Sequence, residues 1–569
     1  MNEKKTKIII LLFIFISGAI VARLLYFQVF ARDQYISYIQ RQYFKKEKIV
    51  LPRGIIYDSN KKVLSVSVNT LKLYAIPKYL SQKQKQDLAQ NLSKIINVSK
   101  YQLLAKLQSK KGYVVLADNV DINLKSRLLL LRKQLKAWNF GIIETSKRFY
   151  PYQSLAGSTI GFVRKDTGKG AAATEYLLND TLGGGTAEIS VLKDGKGNPI
   201  STQILKKAKP NYHAVLTIDS NVQYIVETAL KKLVRIRKPK EAAILIMDSF
   251  TGDIIATATY PNYNPNKYWK YKSHKNIIFH NAYEVGSLAK PFILAQAIDE
   301  NKLSKFKKVF CEKGKIIIDG VRIKDHKRFT YLTPEEVIIK SSNIGTIKIA
   351  LDLDYKQIYK RLRSLGFGTS TKTFPGEAFG LLKEDLRPVN VAYTSIGQSW
   401  TATILQIAVA YSAIANGGFL VKPRLIKEIV DSDGNVIEKT RIKIKGKVLS
   451  DKSVSWLQKT LKLVVEKGTA KTGKSKYFSI AGKTGTAQKY DPRIKALSTE
   501  KFYTWFAGYF PANNPKFTIV VFVNEPKKIK KWEFIGGGTV SAPILKDIVD
   551  RIMYYYKEKP DKYIAKTIF

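Results

Sequence analysis

Uncharged positions gather in one run near the start of the chain. Residues 8–22 carry no charge, Arg23 interrupts, and LLYFQVF continues to Phe30. As a single helix, residues 8–30 would measure about 34 Å at the α-helical rise, enough for the hydrocarbon core of a bilayer. Arg23 would then lie near the outer interface and reach toward the head groups. The longest uncharged stretch, 388–421, is broken by Asn390, Gln398 and Gln406. Its apolar part, 403–415, is too short to cross a bilayer and predicts a buried helix. Amphipathic, lysine-rich helices are predicted at 81–96 and 124–135, with loops at 183–185 (GGG) and 194–199 (DGKGNP). AAILIMD at 242–248, a turn at 249–252 and DIIATAT at 253–259 predict a hairpin. Helical patterns dominate 287–470. Strands return at 479–482, 502–510 and 517–524, before a last helix at 542–556. Strands at both ends with helices between them predict one sheet built from distant parts of the chain and faced by a helical lobe. That is an α+β chain, with a new region opening near Asn221.

Length and charge refine this picture. A chain of 569 residues predicts at least two domains. Lys and Arg number 97 against 45 Asp and Glu, a net +52 that first points to nucleic acid or an anionic membrane. The excess is spread evenly, with +25 on residues 1–250 and +27 on 251–569. A nucleic-acid module would concentrate it on one element. Even the densest patch, 231–240 (KKLVRIRKPK), reads as a solvated helix end. Lys4, Lys5 and Lys7 precede the apolar span, which puts the N-terminus in the cytoplasm and the remainder outside. A cleaved signal peptide, with SGA at 17–19 as its processing site, is the competing reading. Apolar sequence running past that site favours the retained anchor. Both readings export the chain and exclude DNA and RNA as partners. The single cysteine, Cys311, excludes a disulfide framework and a cysteine metal cluster. His213, His274, His280 and His326 are scattered, which leaves little room for a histidine-ligated metal or a Ser-His-Asp triad.

Three short motifs in the second region carry candidate chemistry. In Ser287-Leu288-Ala289-Lys290, helical spacing would put the hydroxyl and the amine on one face within hydrogen-bond reach. A desolvated lysine can take a serine proton, making a nucleophile without histidine. Ser-x-x-Lys also occurs at 304–307 and 498–501, but only Ser287 follows a glycine and opens an apolar helix (PFILAQAI). The second motif is Ser341-Ser342-Asn343, which alone would read as a helix cap. The third is Lys483-Thr484-Gly485-Thr486 after a short strand. Gly485 would let a substrate backbone approach an edge strand, and Lys483, Thr484 and Thr486 offer a cation and two hydroxyls for a carboxylate. A second Lys-Thr-Gly at 471–473 lacks a preceding strand and reads as a loop.

In this order the three motifs are the set found in penicillin-interacting serine enzymes. The whole chain resembles a class B penicillin-binding protein, a monofunctional peptidoglycan D,D-transpeptidase. RGIIYD at 53–58 resembles the family's box soon after the anchor, and RFYPY at 148–152, STIGFV at 158–163, TEYLLNDTLGG at 174–184 and LTIDSNVQ at 216–223 resemble its pedestal. MDSFTGDIIATATYPNYNPN at 247–266 resembles the opening of the transpeptidase domain. GYFPANNPKFTIVVFVNEP at 508–526 and GGTVSAP at 537–543 resemble its close. Two positions depart from the family pattern. Glu284-Val285-Gly286 stands where Glu-Pro-Gly is usual, and Gly397-Gln398-Ser399 where Gly-Gln-Gly is usual. SSNIGTIKIA at 341–350 and PGEAFGLL at 375–382 resemble the division-specific, FtsI-type subgroup.

The resemblance implies a cytoplasmic tail at 1–7, a single-pass anchor at 8–30 in the cytoplasmic (inner) membrane, and an elongated α/β pedestal of dimerisation type at 31–220. A transpeptidase domain of serine β-lactamase-like fold would fill 221–569 on the periplasmic side. It implies septal cross-linking of peptidoglycan stem peptides during cell division. Ser287 would be the nucleophile and Lys290 its base, while Ser341 would relay a proton. Asn343 would hold the stem-peptide amide. Lys483, Thr484, Gly485 and Thr486 would line the carboxylate subsite, and the N–H groups of Ser287 and Thr486 would form the oxyanion hole. No metal or organic cofactor is expected. Expected partners are the lipid-linked precursor, β-lactams bound covalently, a polytopic SEDS-family glycan polymerase and other division proteins. An elongation-specific transpeptidase, an anchored carboxypeptidase or β-lactamase, and a non-catalytic division scaffold remain as alternatives.

Overall fold

The computed structural model describes residues 3–36, 44–193, 199–206, 211–491 and 496–562. The loop expected at 194–199 lies, except for Pro199, outside the described residues. Two compact units emerge, Met1–Arg53 with Gly183–Asn211, and Gly54–Leu182 with Tyr212–Phe569.

In the first unit the helix Glu3–Leu25 runs into a π-helical turn, Tyr26–Phe30, and no residue of either is buried. A helix that is apolar all round is at home in the core of a large protein or in a membrane. Among the described residues, Glu3–Phe30 is the helix long and apolar enough to cross a bilayer. The same unit holds a three-stranded antiparallel sheet, with Thr186–Lys193 between Phe44–Val50 and Pro199–Lys206.

The second unit contains two larger sheets. One runs from Val436–Lys439 through Ile426–Val430, His213–Leu216 and Ile56–Tyr57 to Val63–Ala75, which also pairs with Val114–Asp121 and Phe140–Phe149. The helices Gln82–Ile95 and Lys125–Gln134 bury Leu88, Leu92, Leu128 and Leu131 in a core beside it. The border expected at 220/221 falls inside this unit, at the first turn of helix Ser220–Arg237, where the Asp219 carboxylate accepts the N–H groups of Asn221 and Val222.

The other sheet positions the chemistry. Its strands are β1 (Glu241–Asp248), β2 (Ile254–Tyr260), β3 (Ala481–Asp491), β4 (Ala496–Phe510) and β5 (Phe517–Asn524). They lie in the order β2-β1-β5-β4-β3, antiparallel throughout. The β1–β2 turn closes because the Asp248 carboxylate accepts from Phe250 N–H at 2.9 Å and Thr251 N–H at 2.8 Å. Every residue of β5 is buried, as a central strand covered on both faces requires. Helix Ile404–Ala415 packs against β1, β4 and β5, and all its residues are buried. A capping box between Thr403 and Gln406 starts it. Helix Ser220–Arg237 packs on β1 and β2, with Leu545–Tyr555 against it.

Two expectations change. Helices do dominate 287–470, but short strands interrupt them: Lys315–Ile318 pairs with Val321–Lys324, and Phe419–Val421, Ile426–Val430, Val436–Lys439 and Ile444–Lys447 are strands. These segments are short, and Ile426–Val430 pairs both with Val436–Lys439 just after it and with His213–Leu216, far upstream. Strand β3 runs well past the expected 479–482, because its polar residues hide the alternation that marks a strand.

Candidate active site

Ser287 lies on the 3₁₀ turn Gly286–Leu288, which feeds the buried helix Lys290–Asp299. Three elements pin this turn. Gly286 N–H donates to Gly397 O at 2.8 Å, Tyr411 OH donates to Leu288 O at 3.0 Å, and Trp505 Nε1 donates to Glu284 O at 3.1 Å. Gly397 has φ +77°, and a Cβ there would lie 1.9 Å from Gly286 O, so only glycine fits.

The two departures from the family pattern now have a local account. Val285 sits at φ −76°, the angle proline would fix, so the turn forms without proline. Ser399 holds φ +64°, where a side chain is strained, while its N–H donates to the Glu284 carboxylate. Val285→Pro should gain about 0.4–1 kcal/mol by restricting the unfolded chain. Ser399→Gly should gain about 0.5–1 kcal/mol by relieving the left-handed residue. Thermal unfolding of each variant checks this, and a lowered melting temperature in either would contradict the backbone described.

Lys290 is fully buried. Its Nζ donates to Ser341 O at 2.7 Å and Asn343 Oδ1 at 2.7 Å, and lies 3.4 Å from Ser341 Oγ. The Ser287 hydroxyl is not among its hydrogen-bond partners, so the expected Ser287–Lys290 contact is not made in this state. The Ser341–Asn343 turn takes the donors instead. Lys483, on β3 and also fully buried, donates to Ser341 Oγ at 2.8 Å and to Thr484 O at 2.9 Å. One serine hydroxyl thus bridges two buried amines. Burial pushes Lys290 down to about 7, opposed by the charge of Asp325. Burial, and then the charge of Lys290, pushes Lys483 well below the usual lysine range. Two ammonium groups around one hydroxyl disfavour each other, so a free amine is available here near neutral pH.

These groups border a cleft of about 740 Å³ lined by Ser287, Ser341, Asn343, Thr484, Thr486 and His326, among others. Thr484 Oγ1 lies 2.6 Å from Thr469 Oγ1, and Thr486 Oγ1 accepts from Gly537 N–H at 3.1 Å. The space saved at Gly485 faces Trp505 and Leu288, with a Cβ falling 3.1 Å from Trp505 Cβ and 3.2 Å from Leu288 Cγ. It lets the Ser287 turn pack on β3. The second Lys-Thr-Gly is a 3₁₀ turn, Lys471–Gly473, and its Lys471 and Thr472 also line the cleft. Sequence reasoning set this wall aside as a loop, and it missed Thr469 and Asp325, which belong to no motif with a spacing to recognise.

The arrangement offers a hydroxyl at the mouth of a cleft and two amines of weakened basicity joined by a second hydroxyl. Comparisons with known proteins identify the domains around this cleft. Residues 242–550 match the penicillin binding protein transpeptidase domain, and residues 48–189 the penicillin-binding protein dimerisation domain. The chain is 29% identical to peptidoglycan D,D-transpeptidase FtsI of Buchnera aphidicola, over 95% of this chain and 93% of that one. It is 28% identical to the probable peptidoglycan D,D-transpeptidase PenA of Neisseria meningitidis, over 94% and 89%. Among solved structures, penicillin binding protein 2X from Streptococcus thermophilus superposes with a TM-score of 0.74 at 24% identity, covering 90% of this chain and 80% of that one. With both domains matched in order behind an apolar N-terminal helix, the chain belongs to the class B penicillin-binding proteins.

Proposed function

We propose that this chain is a peptidoglycan D,D-transpeptidase that cross-links stem peptides at the division septum through an acyl-enzyme on Ser287. The observation that carries this reading is Lys290, buried, held by Ser341 and Asn343, and close enough to neutrality to accept a proton. Ser287 Oγ attacks the carbonyl carbon of the penultimate D-Ala, and its proton passes to Lys290. The N–H groups of Ser287 and Thr486 receive the oxyanion, each worth about 3 kcal/mol in the transition state. The C–N bond then breaks, and Ser341, bridging Lys290 and Lys483, returns the proton to the departing D-Ala amine. An amine of a neighbouring stem attacks the ester, forms the cross-link and restores the Ser287 hydroxyl. Asn343 holds the stem amide, and Lys483, Thr484 and Thr486 hold its terminal carboxylate. β-Lactams enter as mimics of the D-Ala-D-Ala end and stay bound as slowly released esters.

The pedestal occupies 31–220 and the transpeptidase domain 221–569 in this reading. Lys4, Lys5 and Lys7 keep the N-terminus in the cytoplasm, and both domains face outward, where the pedestal and anchor meet a SEDS-family polymerase and other division proteins. The septal role rests on the FtsI-type sequence at 341–350 and 375–382. Mass spectrometry of protein treated with penicillin tests the acyl-enzyme: the adduct should lie on the peptide carrying Ser287. Depletion in cells tests the role. Filaments support division, and rounded cells would transfer the protein to elongation.

A further inference from the structure

The turn beneath Lys290 has an unfavourable backbone. Ser341 is left-handed, at φ +59°, and such a residue persists only where its surroundings hold it. Much of the hold comes from another element. Asp325 directly follows the hairpin strand Val321–Lys324 and accepts from Ser342 Oγ at 2.7 Å, from Asn343 N–H, and from Ile344 N–H at 3.2 Å. The neighbouring Lys324 O accepts from Asn343 Nδ2 at 2.9 Å. With its backbone N–H and its amide nitrogen both fixed, Asn343 presents Oδ1 to Lys290 Nζ. Ser342 Oγ in turn accepts from Gly345 N–H at 2.9 Å and caps the helix Asn343–Leu351. A negative charge at that helix start also suits its dipole.

We propose that Asp325 is a positioning residue for acylation, tying the open end of the 315–324 hairpin to the Ser341–Asn343 turn so that Asn343 Oδ1 and Ser341 O hold Lys290 in place. The proposal rests on the acyl-enzyme reading above. It makes Asp325 more than a cap: of the groups around Lys290, namely Asp325, His326 and Lys483, Asp325 is the one whose charge favours the ammonium. Removing that charge therefore extends the free-amine form of Lys290 to lower pH, while loosening the turn slows the reaction.

The test is the pH profile of acylation by a fluorescent penicillin for wild type, Asp325→Asn and Asp325→Glu, repeated in a His326→Gln background so that imidazole titration drops out. Asp325→Asn should lower the plateau rate by about 10- to 100-fold. It should also move the acid limb to lower pH by on the order of half a unit. Asp325→Glu should recover part of the rate and restore the limb. If Asp325→Asn does not fold, Asp325→Ser, which keeps one acceptor, replaces it. A folded variant with the wild-type plateau, or with a lowered plateau but an unmoved limb, overturns the proposal. Absence of labelling in the wild type would overturn the acyl-enzyme reading instead, so the two failures are distinct.

Discussion

Ser287→Ala should abolish covalent labelling by fluorescent penicillin while leaving the melting temperature within about 1–2 °C of wild type. The change removes one oxygen from a partly buried side chain at the cleft, and Lys290 keeps its partners on Ser341 and Asn343. Truncations of this kind usually stay within about 0.5 kcal/mol in stability. Because the label is an ester on Oγ, the loss should be complete. On the septal reading proposed above, cells whose only copy is Ser287→Ala should fail to divide. Persistent labelling of the variant would remove Ser287 from the mechanism, and normal division would favour a scaffold.

Lys290→Met should lower the acylation rate by about 100- to 10,000-fold, the usual worth of a positioned base, while preserving non-covalent affinity for the same penicillin. In the wild type, protonated Lys290 cannot accept the Ser287 proton. The rate should therefore fall about tenfold per pH unit below about 7, where Lys290 titrates, and level off above it. Lys290→Met should flatten that limb. Lys290→Arg, permanently charged, should be as slow as Lys290→Met despite keeping a cation. A Lys290→Met protein within tenfold of wild type, or one retaining the same acid limb, would assign the base elsewhere.

Local signals made much of this legible in the sequence. The apolar run at 8–30, the 242–259 hairpin and the three motifs each declare themselves within a few residues. The structure brings Lys290, Ser341, Asn343 and Lys483 within hydrogen-bond distance and sets Ser287, Thr484 and Thr486 on the same cleft. What stayed hidden depends on contacts between distant segments. Asp325 looks like any charge in a lysine-rich loop until the hairpin places it against Ser342. Thr469 gains meaning only beside Thr484. The donors of Lys290 turn toward Ser341 and Asn343 at a left-handed Ser341 that no local signal announces.

The position of β5 governs when the protein can become active during synthesis. It pairs with β1 on one side and β4 on the other, so Ser249 Oγ and Thr518 Oγ1 meet at 2.8 Å although 269 positions separate them. A chain emerging N-terminus first presents β1 and β2 long before their partner arrives, and such non-local pairing is slow to form. Until Phe517–Asn524 has been made, one edge of β1 stays open to mispairing, and β4 and β3 lack the strand that seats them. Lys483 therefore joins Lys290 only in a nearly complete chain, which makes stalled or truncated copies incompetent to react with cell-wall precursors.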